Sequence, residues 1–122
     1  MIMVEGKVNE SFGPLLEEWL RDASDGKRER LAFLESTLGI ETELPGRIRY
    51  QLLHRAASPV IEAMRVGARY AAMVVHSFSR ADAWLEDYQA FARLMGVEGE
   101  KGRLKRVPRH VEVELWMGRV SG

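Results

Sequence analysis

The hydrophobic pattern of the chain is strongest between residues 47 and 79. Apolar residues recur every fourth position from Ile48 to Met64, which is typical of a helix with one broad apolar face. From Tyr70 to Val75 the run YAAMVV is continuously apolar, as in a strand buried on both faces and reached by a helical crossover. We predict a helix over 46–66 and a parallel strand over 70–77, separated by Gly67. The helix residues predicted to face the core are Ile48, Leu52, Leu53, Ala56, Val60, Ile61, Ala63 and Met64.

The flanking segments predict five further elements. Residues 2–8 are short, apolar and β-branched, which favours a first strand. Helices are predicted over 14–21, 27–38 and 80–95, because leucine and aromatic residues recur there at helical spacing. Apolar and polar residues alternate from Val111 to Met117, which predicts an edge strand over 110–119 with one exposed face. The polar segment 97–106 is predicted to be a loop.

This order of elements indicates a single α/β domain over residues 1–122. We expect a small mixed sheet of about three strands packed by about four helices, with the first two strands parallel and the last antiparallel at an edge. A sheet this small leaves an edge open. A second copy of the chain, giving a homodimer, or a partner chain is expected to cover that edge.

Composition narrows the class of protein. Lys+Arg and Asp+Glu balance at 18 each, so no overall basic field indicates nucleic acid as the partner. The absence of cysteine excludes disulfides and thiolate metal sites and favours a cytoplasmic location. The longest apolar run is too short to cross a bilayer. Asn, Gln and Cys are almost absent while charged residues are many, which indicates a thermophilic source. Arginine exceeds lysine by 14 to 4, which a GC-rich genome would also explain.

The first strand contains the most suggestive chemistry, in the sequence Glu5-Gly6-Lys7. Residues two apart on a strand point to the same face, so a carboxylate and an ammonium group emerge together. A metal-dependent phosphodiesterase uses such a pair, the carboxylate to hold Mg²⁺ and the lysine to stabilise phosphate charge. The alternative is a surface ion pair of little energetic consequence.

The segments VEGKVNESFGP, RIRYQLLHRAASPVIEA and AAMVVHSFS resemble a group of uncharacterised bacterial proteins. Their Glu-x-Lys strand, helices and returning strand are similar to the core of the PD-(D/E)XK, or restriction-endonuclease-like, superfamily. The resemblance implies that Glu5 is the metal-binding acid and Lys7 the motif lysine, with Mg²⁺ as the cofactor. It also implies a polar helix residue near the site, Gln51 or Arg55.

The chain departs from that superfamily at its beginning. The superfamily's first metal-binding aspartate lies on a strand before Glu-x-Lys, but only four residues precede Glu5 here, an extended reach of about 14 Å. We therefore expect the aspartate strand to be absent from this sequence. Three explanations compete: a start codon assigned too late, a degenerate remnant of the fold, or completion of the site by another chain or by a carboxylate such as Glu10 or Glu17. His54 on the predicted central helix and His76 at the end of the second strand are secondary candidates, although a structural histidine is the alternative for each.

Two functional hypotheses follow from these observations. The first is a non-catalytic or incomplete nuclease-like domain that acts through self-association or a partner chain. The second is a Mg²⁺-dependent nuclease that uses Glu5 and Lys7 with Gln51, and takes its missing acid from elsewhere. The only strongly basic run, KGRLKRVPR at 101–109, lacks the interleaved aromatic residues of a single-strand binding surface.

Overall fold

The computed structural model describes residues 2–7, 13–77, 85–97, 104–108 and 113–121. For 2–7, 76–77 and 120–121 it describes the backbone alone. The strands are β1 (Ile2–Lys7), β2 (Tyr70–Ser77), β3 (Leu104–Arg106) and β4 (Glu114–Ser121). The helices are α1 (Leu16–Trp19), α2 (Asp25–Leu38), α3 (Tyr50–Val66) and α4 (Leu85–Leu94).

The described strands form one mixed sheet in the order β1-β2-β4-β3. β1 runs parallel to β2, from the Ile2–Ala72 pair to the Lys7–Ser77 pair. β2 also runs parallel to β4, whereas β3 is antiparallel to β4. The prediction of a small α/β fold with a mixed sheet is therefore confirmed, as is the parallel pairing of the first two strands.

The position predicted for the last strand is wrong. β4 lies inside the sheet and is parallel to its neighbour, and the antiparallel edge strand is β3, within the segment predicted to be a loop. The alternation itself is real, since Leu115 and Met117 are buried while Glu114 and Trp116 are only half-buried. In a sheet with helices on one face, an interior strand alternates in the same way as an edge strand. The alternation of apolar and polar residues therefore shows that one face of the strand is less buried than the other. It does not show which strands pair with it on either side.

The same one-sided burial corrects the prediction for β2. Ala71, Met73 and Val75 are buried in the core, but Ala72 and Val74 on the opposite face are only half-buried. The described helices pack on the sheet face that contains Ala71, Met73 and Val75, and together they form one hydrophobic core. The small and β-branched residues of β2 are therefore compatible with a strand buried fully on one face alone.

The apolar face of α3 is narrower than its four-residue repeat suggests. Leu52, Ala56 and Val60 have no exposed surface, but Met64 is 50% exposed. Because a helix turns once in 3.6 residues, a row of every fourth residue rotates by about 40° at each step. By Met64 the row has moved about 120° from Leu52 and has left the core. Ile61, at 37% exposed, was also predicted to be buried and is not.

The helix boundaries differ most around α1 and α3. α1 is a single turn beginning at Leu16, and α3 begins at Tyr50, not at 46. α3 ends as predicted, at Gly67, whose φ of 74° is left-handed, and such a conformation favours glycine as a helix stop. α4 covers Leu85–Leu94, and the predicted positions 80–84 lie outside the described residues.

Candidate functional site

The late start of α3 has a physical cause in the backbone. The residues before α3 pair with the residues that enter α1, through a bridge between Leu15 and Arg49. The Leu16 amide donates to the Ile48 carbonyl at 2.7 Å, and the Tyr50 amide donates to the Pro14 carbonyl at 3.2 Å. Extended pairing of this kind satisfies backbone groups that a longer helix would otherwise use. It fixes α1 against the first turn of α3.

This pairing brings together two aromatic side chains that are distant in the sequence. The rings of Trp19 and Tyr50 stack with centroids 3.9 Å apart and an angle of 11° between their planes. The Lys27 ammonium lies 5.1 Å from the centroid of the Trp19 ring and donates to the Trp19 carbonyl at 3.5 Å. The two half-buried rings therefore stack face to face into one wall, with a cation over the Trp19 ring.

The wall borders a cavity of about 400 Å³ between α1, α2 and α3, which we call the α3 pocket. Its lining residues are Gly13, Pro14, Trp19, Arg30, Tyr50, Gln51, His54 and Arg55. Three of the residues singled out from the sequence, Gln51, His54 and Arg55, are therefore brought together on one side of α3. Their spacing of three and four positions makes them neighbours on the helix surface.

Arg49 ties the rim of the α3 pocket to the rest of the fold. Its Nη1 donates to the carbonyl of Gly13 at 2.8 Å, and its Nε lies 3.1 Å from the Asp87 carboxylate on α4. Both side chains of this ion pair are only about one-fifth exposed, at 21% and 20%. Since Gly13 lines the pocket, Arg49 positions the pocket wall without being part of its lining.

Glu5, Lys7 and His76 are described by their backbone alone. Glu5 and Lys7 lie in the second half of β1, opposite Val75 and Ser77 of β2, and His76 pairs with Gly6. All three therefore occupy the carboxyl ends of parallel strands, where α/β folds place many of their ligands. In the sheet order β1 is terminal, so among the described residues no strand pairs with its outer edge.

The pairing register also places Glu5 in one row with Val75 and Arg119. Arg119 is 6% exposed and is the buried charged residue among those described. It acts electrostatically on Tyr88 of α4, where it favours ionisation, but burial dominates and raises the pKa of Tyr88 to about 12. A guanidinium group in the core requires compensating charge or hydrogen bonds nearby.

The described residues hold no group of three or more His, Cys, Asp or Glu side chains placed to share a metal ion. Within the same residues, no helix has the length and apolar character needed to cross a membrane. The Mg²⁺ site predicted at Glu5 stays a prediction, because the structure describes the backbone of Glu5 and not its side chain.

Trp19, Tyr50 and Arg30 of the α3 pocket were not foreseen from the sequence. Trp19 is part of the leucine and aromatic spacing that predicts a helix over 14–21, and Tyr50 and Arg30 belong to no motif. Their proximity depends on tertiary structure. Residues 14–17 pair with 46–50, which brings Trp19 to Tyr50, and Arg30 lines the same pocket from α2. A periodicity analysis of either segment alone cannot detect it.

These features define a class of protein: a small α/β domain with helices packed on one face of a mixed sheet, and an aromatic, arginine-lined pocket beside its central helix. Over residues 1–122 the chain matches a family described as a domain of unknown function, DUF6946, and it belongs to that family. No curated protein and no solved structure matches the chain.

Proposed function

We propose that this domain is a non-catalytic, nuclease-like module that acts by pairing with a second copy of itself along the outer edge of β1. The observation that supports the proposal is the position of β1 at the end of the sheet order. Among the described residues no strand pairs with the outer edge of the six-residue segment IMVEGK, so its backbone donors and acceptors can pair with a strand that aligns with it. The nuclease-like character rests on the resemblance of its Glu-x-Lys strand.

The charges of β1 favour a second copy of the chain as the occupant of that edge. A two-fold axis pairs an edge strand with its own copy in the antiparallel direction, so the interface is self-complementary. Centred on Gly6, this pairing places Glu5 of each chain directly opposite Lys7 of the other. Opposite charges at facing positions stabilise antiparallel pairs, whereas like charges destabilise them.

The same register supports a second candidate function, the Mg²⁺-dependent nuclease with its missing acid supplied from elsewhere. In the proposed dimer the two Glu5 residues are diagonal neighbours, about 7–8 Å apart. Mg²⁺ binds carboxylate oxygens at about 2.0–2.1 Å, and glutamate side chains that start from positions this far apart are long enough to converge on one ion. The second chain would then supply the acid that the first chain lacks.

A charge-swap cycle tests the association. Glu5→Lys alone and Lys7→Glu alone place like charges opposite each other, so sedimentation equilibrium should show weaker dimerisation for each. The double variant Glu5→Lys/Lys7→Glu restores both pairs and should restore the dimer. A wild-type chain that sediments as a monomer at high micromolar concentration would refute the proposal.

Two further results separate the alternatives. If Glu5→Lys unfolds the chain and Lys7→Glu does not rescue it, the partner of Glu5 lies within its own chain, with Arg119 of the same row as the first candidate. Calorimetric titration with Mg²⁺ and Mn²⁺ addresses the nuclease. Metal binding by the wild-type dimer that is lost in Glu5→Ala, together with phosphodiesterase activity, would favour the second candidate.

A further inference from the structure

The sheet has a second face, on which none of the described helices packs. Those helices pack on the face that contains Met73 and Met117, and the residues that alternate with these two belong to the opposite face, which we call the open face. Its described residues are Tyr70, Ala72 and Val74 of β2, Leu104 and Arg106 of β3, and Glu114, Trp116 and Gly118 of β4. We propose that the open face of one edge-paired dimer packs on the open face of a second dimer, so that four copies of the chain form two stacked sheets.

The exposure of the open face shows that the described part of the chain does not cover it. Leu104 is 51% exposed, and Ala72, Val74 and Trp116 are half-buried. Met73, on the other face of the same strand, has no exposed surface. Burial of an apolar sheet face is favourable, and a second sheet that packs about 10 Å away is a common way to achieve it.

The charges of the open face favour a second copy of the chain as the occupant. Arg106 and Glu114 pair with each other at 3.3 Å, and the Trp116 indole N–H donates to the same carboxylate at 3.1 Å. These polar groups have partners within the face, so covering them costs little. Arg69, 6.0 Å from the centroid of the Tyr70 ring, adds a single positive charge at the margin. One excess charge is too few for the many phosphate contacts through which proteins bind nucleic acid.

The area of the open face is sufficient once two chains have paired along β1, and to this extent the inference rests on the proposed function. A two-fold axis that pairs antiparallel edges is perpendicular to the sheet, so both open faces lie on the same side. The strands contain six, eight, three and eight residues, which at β-sheet spacing cover roughly 400 Å² per chain. The dimer doubles this area to about 800 Å², the contribution of each partner to a standard stable interface.

Sedimentation velocity of the full chain over a concentration series tests the proposal. The wild type should pass from dimer to tetramer as the concentration rises. Leu104→Glu should weaken tetramer formation by more than about ten-fold, because the added carboxylate becomes covered by apolar surface. It should leave the pairing along β1 intact.

Met64→Glu is the matched control. Met64 is 50% exposed, against 51% for Leu104, but it lies on α3, on the helix-covered side of the sheet. The same charge added there should leave the tetramer unchanged. Circular dichroism establishes that each variant is folded. Leu104→Ser, which adds no charge, should weaken the tetramer by a smaller factor and tests the same contact if glutamate disrupts β3.

Lys7→Glu separates the open face from the β1 edge. If both interfaces form, Lys7→Glu weakens the dimer, whereas Leu104→Glu removes only the tetramer. A wild-type dimer that Leu104→Glu reduces to a monomer, and that Lys7→Glu leaves unchanged, would support pairing through the open face and refute pairing along β1.

Three results would overturn the proposal. The first is a wild type that forms nothing larger than a dimer, together with a Leu104→Glu variant that forms the same dimer. The second is an equal effect of Leu104→Glu and Met64→Glu. The third is saturable binding of phosphatidylserine vesicles or of a single-stranded oligonucleotide that Leu104→Glu abolishes, which would assign the open face to an anionic partner.

Discussion

Replacing Arg49 by methionine removes the contacts that tie the pocket rim to α4. Arg49 donates to the Gly13 carbonyl at 2.8 Å and pairs with Asp87 at 3.1 Å. Methionine keeps much of the apolar stem but leaves both partners without the charge. A hydrogen bond from a charged group contributes about 1.5–3 kcal/mol, and the lower value is appropriate for the contact with Gly13 because water replaces part of the loss. The contact with Asp87 is an ion pair about one-fifth exposed, which contributes about 1 kcal/mol.

The two contacts together give an expected loss of about 2.5 kcal/mol in the free energy of unfolding. For 122 residues the unfolding entropy converts this loss into a fall in Tm of about 10 °C. Thermal denaturation followed by circular dichroism measures the change directly, and urea unfolding gives the free energy independently.

Arg65→Met is the matched control on the same helix. Arg65 forms an ion pair with Glu62 on the exposed surface of α3, and such pairs contribute little to stability, so its Tm should equal that of the wild type. A cycle with Asp87→Asn separates the two contacts of Arg49, because only the ion pair couples the two sites. If Arg49→Met lowers the Tm no more than Arg65→Met does, the role given to Arg49 is wrong.

Two further predictions concern Tyr88 and Gly67. Burial raises the pKa of Tyr88 to about 12, above its unfolded value of about 10, so its contribution to stability is complete below pH 10 and is lost as the pH rises toward 12. Urea unfolding between pH 9 and 11.5 should show a decline that is shallower in Tyr88→Phe, by up to about 2–3 kcal/mol; parallel declines would contradict this. Gly67 has a φ of 74° and no atom within 4 Å of an added Cβ, so Gly67→Ala should cost about 1–2 kcal/mol from backbone strain alone. Gly67→Asn should cost less, and equal stabilities of alanine and glycine would show that the helix end adjusts.

Local sequence patterns predicted the existence and type of most elements. The apolar period of α3, its end at Gly67 and the strand at Tyr70–Ser77 are all readable from the chain, because period and helix stops are properties of neighbouring residues. Three of the residues around the α3 pocket were also identified, since Gln51, His54 and Arg55 are polar positions spaced along one helix. Whether Glu5 and Lys7 act on a metal stays a prediction.

Only the tertiary structure decided which elements are neighbours. β4 alternates like an edge strand, yet it lies between β2 and β3, because alternation reports how many faces are covered and not what pairs at each edge. Trp19 meets Tyr50 only because residues 14–17 pair with 46–50. Arg119 is buried in the row of Val75, on the sheet face that packs on the core. Contacts between distant segments depend on the packing of the whole chain, and no local period encodes them.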